Sequence, residues 1–183
     1  ESGELASFTY ILLPNDHTKG TSEGYPTPES MVADNDYAVG LLIEALAASP
    51  FWEKSVVLIV QDDPQGCEDH VDSHRSFVMA IGPWAKRGFV SHAHGSFVSV
   101  FATIFRILGV PPLGVGDATA SPLWDLFTSS INTTPFTALE RRIPKRLNGE
   151  GLPGAQASSQ MDFRSPDRNP GLWVILDAYR LWR

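Results

Sequence analysis

Cysteine is almost absent: Cys67 is the single one in 183 residues, which excludes an internal disulfide framework. No apolar run approaches the roughly 18 residues of a membrane-spanning helix. Positive charge is also short, with 14 Lys and Arg against 21 Asp and Glu and a formal net charge of −7. That balance argues against nucleic acid or an anionic membrane surface as a main partner. There is no Met at position 1 and no basic segment followed by an apolar stretch. Glu1-Ser-Gly-Glu4 runs almost directly into Phe8-Thr-Tyr-Ile-Leu-Leu13, an abrupt start that leads us to expect part of a longer protein. A phosphate-cradling glycine loop and a Gly-x-Ser-x-Gly elbow are both lacking.

What is present suffices for a core, since 43% of the residues are hydrophobic. Phe8–Leu13 reads as a buried strand, ended by the polar turn Pro14-Asn15-Asp16. Residues 18–28 are rich in Gly, Thr, Ser and Pro, a loop composition. Thr27 then offers an N-cap, with Pro28 at the first helical position and Glu29 in the first turn. Ala38, Leu41, Leu42, Ala45 and Leu46 mark one helical face, and Ser49-Pro50 stops the helix. Val56–Val60 is a continuous aliphatic run of the kind found in central parallel strands, and residues 76–81 form another. Val98, Phe101, Ile104, Phe105 and Leu108 trace a second helical stripe, closed by Gly109. This order predicts an α/β layered sheet. Beyond about Ser129 the composition turns to Ser, Thr, Asn, Pro, Gly and Arg. The expected division is therefore a domain over residues 1–129 and an extended arm over 130–183, with a closing helix on Leu172, Ile175, Ala178 and Leu181. The basic run Glu140–Arg146 reads as a solvated part of that arm.

Chemistry concentrates in three polar loops. Residues 61–75 carry Asp62, Asp63, Glu68, Asp69, His70, Asp72, His74 and Arg75 directly after an aliphatic strand. In open α/β sheets, ligands bind beyond the carboxyl ends of strands. Adjacent Asp62 and Asp63 repel each other and call for a cation, which carboxylate and imidazole would hold. An acidic, solvated turn bent at Asp63-Pro64 accounts for the same residues, and both readings stand at this point. Asp16 and His17 follow the first strand-like run, where a hydrogen-bonded turn is the plainer alternative. His92 and His94 precede the second helix, spaced to share one side of an extended segment. All five histidines (17, 70, 74, 92 and 94) fall in these loops, which favours a multi-ligand metal site. Thr18 is the nearest candidate nucleophile.

The combined motifs carry a resemblance. Leu12-Leu-Pro-Asn-Asp-His-Thr-Lys-Gly20, Ala33-Asp-Asn-Asp-Tyr-Ala-Val-Gly40, Ser49-Pro-Phe-Trp52, the Asp62-Asp63 loop with Asp69-His-Val-Asp-Ser-His-Arg75, and Ser91-His-Ala-His-Gly-Ser96 occur in one order. Leu108–Leu113, Asp125-Leu-Phe127, Met161-Asp-Phe and Pro166–Pro170 continue the match. The whole resembles the phosphoesterase family that groups bacterial phospholipases C with acid phosphatases, in the alkaline-phosphatase superfamily. Members fused behind a YVTN-type β-propeller look most similar.

The resemblance implies an αβα sandwich with a mostly parallel central sheet, present here as its C-terminal part. It implies metal-dependent hydrolysis of phosphate esters with two divalent ions, zinc foremost and calcium or manganese as alternatives. Asp62, Asp63, His17, His94 and Asp16 match metal-ligand positions, Asp16 because Leu13 stands where relatives carry an Asp. His70 matches a general acid or phosphate contact that Asp69 would orient, while His74, His92 and Arg75 would meet substrate. Gly66-Cys67-Glu68 departs from the Asp/Asn-Gly-Pro expected there. The nucleophile and another acidic ligand belong to the family's N-terminal half, an expected partner alongside a possible β-propeller. A periplasmic or secreted setting follows from the same resemblance. Two other readings stand beside it: a non-catalytic metal-binding or assembly module, and a structural module using the 130–170 arm as a strap.

Overall fold

The computed structural model describes residues 3–62 and 75–160. The chain divides into two compact units, one of Glu1–Ile11 and Gly40–Ala138, the other of Leu12–Val39 and Leu139–Arg183. Its elements are α1 (Pro28–Ala47), β1 (Val57–Val60), β2 (Val78–Ile81), α2 (Phe97–Leu108), α3 (Val115–Thr119) and α4 (Ala155–Ser159). Short 3-10 turns occupy Pro14–His17, Trp52–Lys54 and Trp124–Leu126. Helix and strand are thus mixed, as the sequence leads one to expect.

In the first unit β1 pairs with β2 in antiparallel register, from Val57 opposite Ile81 to Val60 opposite Val78. This corrects the parallel reading of the 56–60 run for the described residues. A continuous aliphatic run reports burial of both faces, whereas direction is set by the connection. A parallel return needs a crossover, usually a helix.

Phe8–Leu13 is not a strand. It forms no ladder with any described residue, and Phe8, Tyr10, Ile11 and Leu12 are exposed, Tyr10 at 76%. β-propensity expresses itself only against a neighbouring strand. The run supplies suitable side chains, but no described residue offers it an edge.

Helix α1 begins as its sequence dictates. The Thr27 hydroxyl oxygen accepts from the Ser30 N–H at 3.3 Å, with Pro28 opening the helix. Its end is equally legible, as the Ser49 hydroxyl donates to the Leu46 carbonyl at 2.7 Å. The buried face is another matter: Ile43 and Ala47 are buried while Leu41 and Leu42 are exposed. Residues 38–47 are apolar at every position except Gly40 and Glu44, so hydropathy allows more than one stripe.

Helix α2 carries a larger surprise. Ser96 and Ser99 form a reciprocal capping box at its start, and Gly109 ends it with φ 69°, both consistent with the sequence. Yet the buried residues are Ser99, Val100, Ala102 and Thr103, while Phe97, Val98, Phe101 and Leu108 of the phenylalanine-rich side are exposed. Of the expected stripe, Val98, Phe101 and Leu108 are therefore exposed, while Ile104 and Phe105 are half-buried. Burial on the other face follows from hydrogen bonds: the fully buried Thr103 hydroxyl donates to the Ser99 carbonyl at 2.7 Å and accepts from the Leu123 N–H at 2.8 Å. Thr103→Val keeps the shape but strands the Leu123 donor. It should cost about 2 kcal/mol in urea unfolding, and Thr103→Ser should recover most of that loss. Equal stability of the Val variant and the parent would dismiss the role given to this bond.

The chain after β2 is tied to the Trp124–Leu126 turn. Lys86 N–H donates to the Leu126 carbonyl and Thr128 N–H to the Trp84 carbonyl, both at 2.9 Å.

Polar contacts tie together the described residues of the second unit. Ser30 is buried; its hydroxyl donates to the Pro144 carbonyl at 3.1 Å and accepts from the Arg146 N–H at 2.9 Å. The buried Asn148 amide donates to the carbonyls of Gly20 and Ser22 at 3.0 and 2.9 Å. Residues 129–146 contain no regular element, as their composition suggests, and Arg141 and Arg142 are exposed. Helix α4 was not legible in a stretch so rich in Ser and Gly. The expected closing helix on Leu172–Leu181 lies outside the described residues.

Candidate functional site

Asp16 and His17 sit on the 3-10 turn of the second unit, which Pro14 opens. A carboxylate on α1 anchors that turn. Asn15 Nδ2 donates to Asp34 Oδ2 at 3.0 Å, and Arg141 Nη1 donates to Asp34 Oδ1 at 2.8 Å. Asp34 thereby joins the turn, the helix and the arm. Immediately after His17 the backbone takes an unusual conformation: Thr18 has φ 59° and ψ 177°, a region essentially reserved for glycine. The Thr18 hydroxyl oxygen accepts from the Gly20 N–H at 3.2 Å, so this candidate nucleophile is engaged in shaping its own loop.

Because Asp34 and Arg141 are substantially solvated, the ion pair contributes little to stability. Asp34→Ala should change the unfolding free energy by less than about 1 kcal/mol. It should nevertheless shift the His17 imidazole resonance in a carbon–proton correlation spectrum, and an unmoved His17 would show that Asp34 does not hold the turn.

In the first unit Asp62 lies just beyond β1 and Arg75 just before β2. The Ser76 hydroxyl donates to the Gln61 carbonyl at 2.8 Å, fixing together the two ends from which these side chains project. Asp63, Asp69, His70 and His74 lie outside the described residues.

His92 and His94 are exposed on the loop preceding α2. Two anchors bound it. The Ser91 hydroxyl donates to Asp125 Oδ2 and accepts from the Ala93 N–H at 3.1 Å. On the other side Ser96 is locked by the capping box of α2. Asp34 and Asp125 fall within the quoted Ala33–Gly40 and Asp125–Phe127 motifs, where the sequence gives neither a role.

Electrostatically, the clearest perturbation lies elsewhere. The Leu113 N–H foremost holds the Asp117 carboxyl below the ordinary carboxylate range; desolvation opposes it, and the N–H groups of Gly114 and of Asp117 itself add to the lowering. This carboxylate belongs to the start of α3 and to none of the three loops.

The donor chemistry of Asp16, His17, Asp62 and His94 suits a divalent cation such as zinc. Among the described residues, however, no three His, Cys, Asp or Glu side chains are gathered in one metal-binding group. The bond between Ser76 and Gln61 leaves Asp62 and Arg75 next to the two joined chain ends, and His92 and His94 share one exposed loop. No helix of the described residues is long and apolar enough to cross a membrane.

No curated protein matches this chain. A family model described as the Phosphoesterase family matches residues 2–111, an interval that includes every one of the candidate site residues named above. That is more than half of the 183 residues, and the chain belongs to the Phosphoesterase family, whose name denotes hydrolysis of phosphate esters.

Proposed function

We propose that this chain supplies the metal-ligand loops of a phosphoesterase of the phospholipase C and acid phosphatase type, with an alkaline-phosphatase-like αβα architecture. The observation that carries the reading is the family match over residues 2–111, which contains all five histidines and the Asp62-Asp63 pair. In this proposal residues 1–129 belong to the catalytic domain and residues 130–183 form its arm. Asp62, Asp63, His17 and His94 hold two divalent ions, zinc foremost, with Asp16 contributing where Leu13 cannot. Bound ions of this kind neutralise phosphoryl oxygens and activate a nucleophile. His70 meets the phosphate or protonates the leaving oxygen, Asp69 orients His70, and Arg75, His74 and His92 contact the ester.

A Ser or Thr nucleophile comes from an N-terminal half of the same domain, and the setting is periplasmic or secreted. Exposed Phe8, Ile11, Phe97 and Phe101 give that half apolar surface to cover. The decisive experiment is release of p-nitrophenol from mono- and diester substrates by the full-length protein. Activity that is lost on chelation and restored by zinc, manganese or calcium supports the reading; inactivity under all three metals overturns it.

The same exposed phenylalanine-bearing side of α2 favours one alternative, a non-catalytic assembly module. Metal binding without turnover, even after the complementary N-terminal segment is added, would establish that alternative.

A further inference from the structure

The exposure of His92 and His94 raises the question of what fixes their direction. Neither imidazole is buried, so their placement must come from the backbone that carries them. We propose that Asp125 is a positioning residue for this loop, acting through Ser91. The proposal rests on the reading of His94 as a member of the phosphoester site.

The contacts form a continuous path. Asp125 lies on the 3-10 turn Trp124–Leu126, which is tied on both sides to the chain following β2 by Lys86 to Leu126 and Thr128 to Trp84. From this held position the Asp125 carboxylate accepts the Ser91 hydroxyl proton. The Ser91 oxygen in turn accepts from the Ala93 N–H at 3.1 Å, which closes the turn bearing His92. A donated and an accepted bond leave the hydroxyl little rotational freedom. Asp125 thus dictates the direction in which the turn closes.

Packing fixes the next residue. A Cβ at Gly95 would lie 2.8 Å from Leu123 Cδ2, so the loop backbone rests directly on a buried leucine two residues before Asp125. Leu123 is itself held by its N–H bond to Thr103. His94 therefore sits between Ser91, fixed by Asp125, and Ser96, fixed by the helix cap. Segment 123–125 lies outside the interval matched by the family model, so this support comes from sequence beyond it.

Partners standing behind metal-binding or catalytic groups typically influence affinity by about 10–100-fold. Three readouts on the full chain test the role: Ala93 amide exchange, the His92 and His94 imidazole resonances with His17 as internal control, and zinc affinity by chelator competition. Asp125→Ala should speed Ala93 exchange by about tenfold and move the His92 and His94 signals but not His17. Zinc affinity should fall by about 10–100-fold. Asp125→Asn keeps an acceptor oxygen for Ser91 and should restore most of each property.

A folded Asp125→Ala protein with unchanged Ala93 exchange and unmoved His92 and His94 would overturn the proposal. Should that variant fail to fold, Ser91→Ala must reproduce the loop signature, and its failure to do so overturns the proposal equally. If the parent protein binds no zinc, the metal-site reading of His94 fails, while the exchange and resonance measurements still decide the role of Asp125.

Discussion

Gly82→Ala should destabilise the first unit by about 3 kcal/mol or more, a large stability effect for a one-methyl change. Gly82 follows β2 directly, is buried, and has φ 152°. An added Cβ would lie 2.7 Å from the Ser55 carbonyl oxygen and 3.4 Å from Val56 Cα. Both obstacles are backbone, so no side-chain rotation relieves them. Moving Ser55 and Val56 displaces the residues that lead into β1, while moving Gly82 breaks its carbonyl's bond from the Ala85 N–H at 3.1 Å. Either escape loosens the β1–β2 pair from which Asp62 and Arg75 project. A stability loss near 3 kcal/mol is a large part of the 5–15 kcal/mol that a typical domain possesses. Urea unfolding followed by tryptophan fluorescence measures it. Gly88→Ala, at φ 61° with open space around its Cβ position, is the control for conformational strain alone and should cost about 1 kcal/mol. Equal costs at the two positions would show that the contact with Ser55 is unimportant.

The boundaries of α1 and α2 were legible because local chemistry sets them. Thr27 with Pro28, Ser96 with Ser99, and Gly109 each act within one helical turn. The faces those helices bury were not legible. In α2, two hydroxyl residues, Ser99 and Thr103, lie inward because Leu123, twenty positions further along the chain, needs an acceptor there. No window centred on the helix contains that requirement. The same limit explains Phe8–Leu13: its composition suits a strand, but pairing depends on an edge supplied from elsewhere. Antiparallel β1 and β2 show the limit for topology, since aliphatic runs do not encode direction.

At the candidate site, residue types were legible and their supports were not. Clustered His and Asp pointed to three loops, and the family match encloses all of them. Asp34 and Asp125 act through Asn15 and Ser91, at separations of 19 and 34 residues. Only the fold reveals such pairings. Both cases assign an acidic residue to hold a loop rather than to meet a ligand, which is why counting carboxylates overstates the number of metal ligands.

Asp62→Asn and His94→Ala should each lower hydrolysis of p-nitrophenyl phosphate by the full-length protein at least about 100-fold, if both belong to the proposed site. Asp62→Asn retains the side chain's size while removing its negative charge, so a loss of this size would report electrostatics at the end of β1. Asp62 is exposed, and the change should leave stability within about 0.5 kcal/mol. His94→Ala removes a side chain that is likewise exposed, with the same expectation for stability. The informative control is Asp117→Asn. It alters an acid that belongs to none of the three loops and whose carboxylate is satisfied by Leu113 and Gly114, and should leave turnover within about twofold of the parent. Purely additive losses in the Asp62→Asn, His94→Ala double variant would indicate independent roles. Residues acting as one unit instead give a double loss close to the larger single loss. That pattern, combined with unchanged unfolding midpoints, would tie the acidic loop after β1 and the histidine loop before α2 to one reaction. Full activity in either single variant would remove that residue from the proposed site.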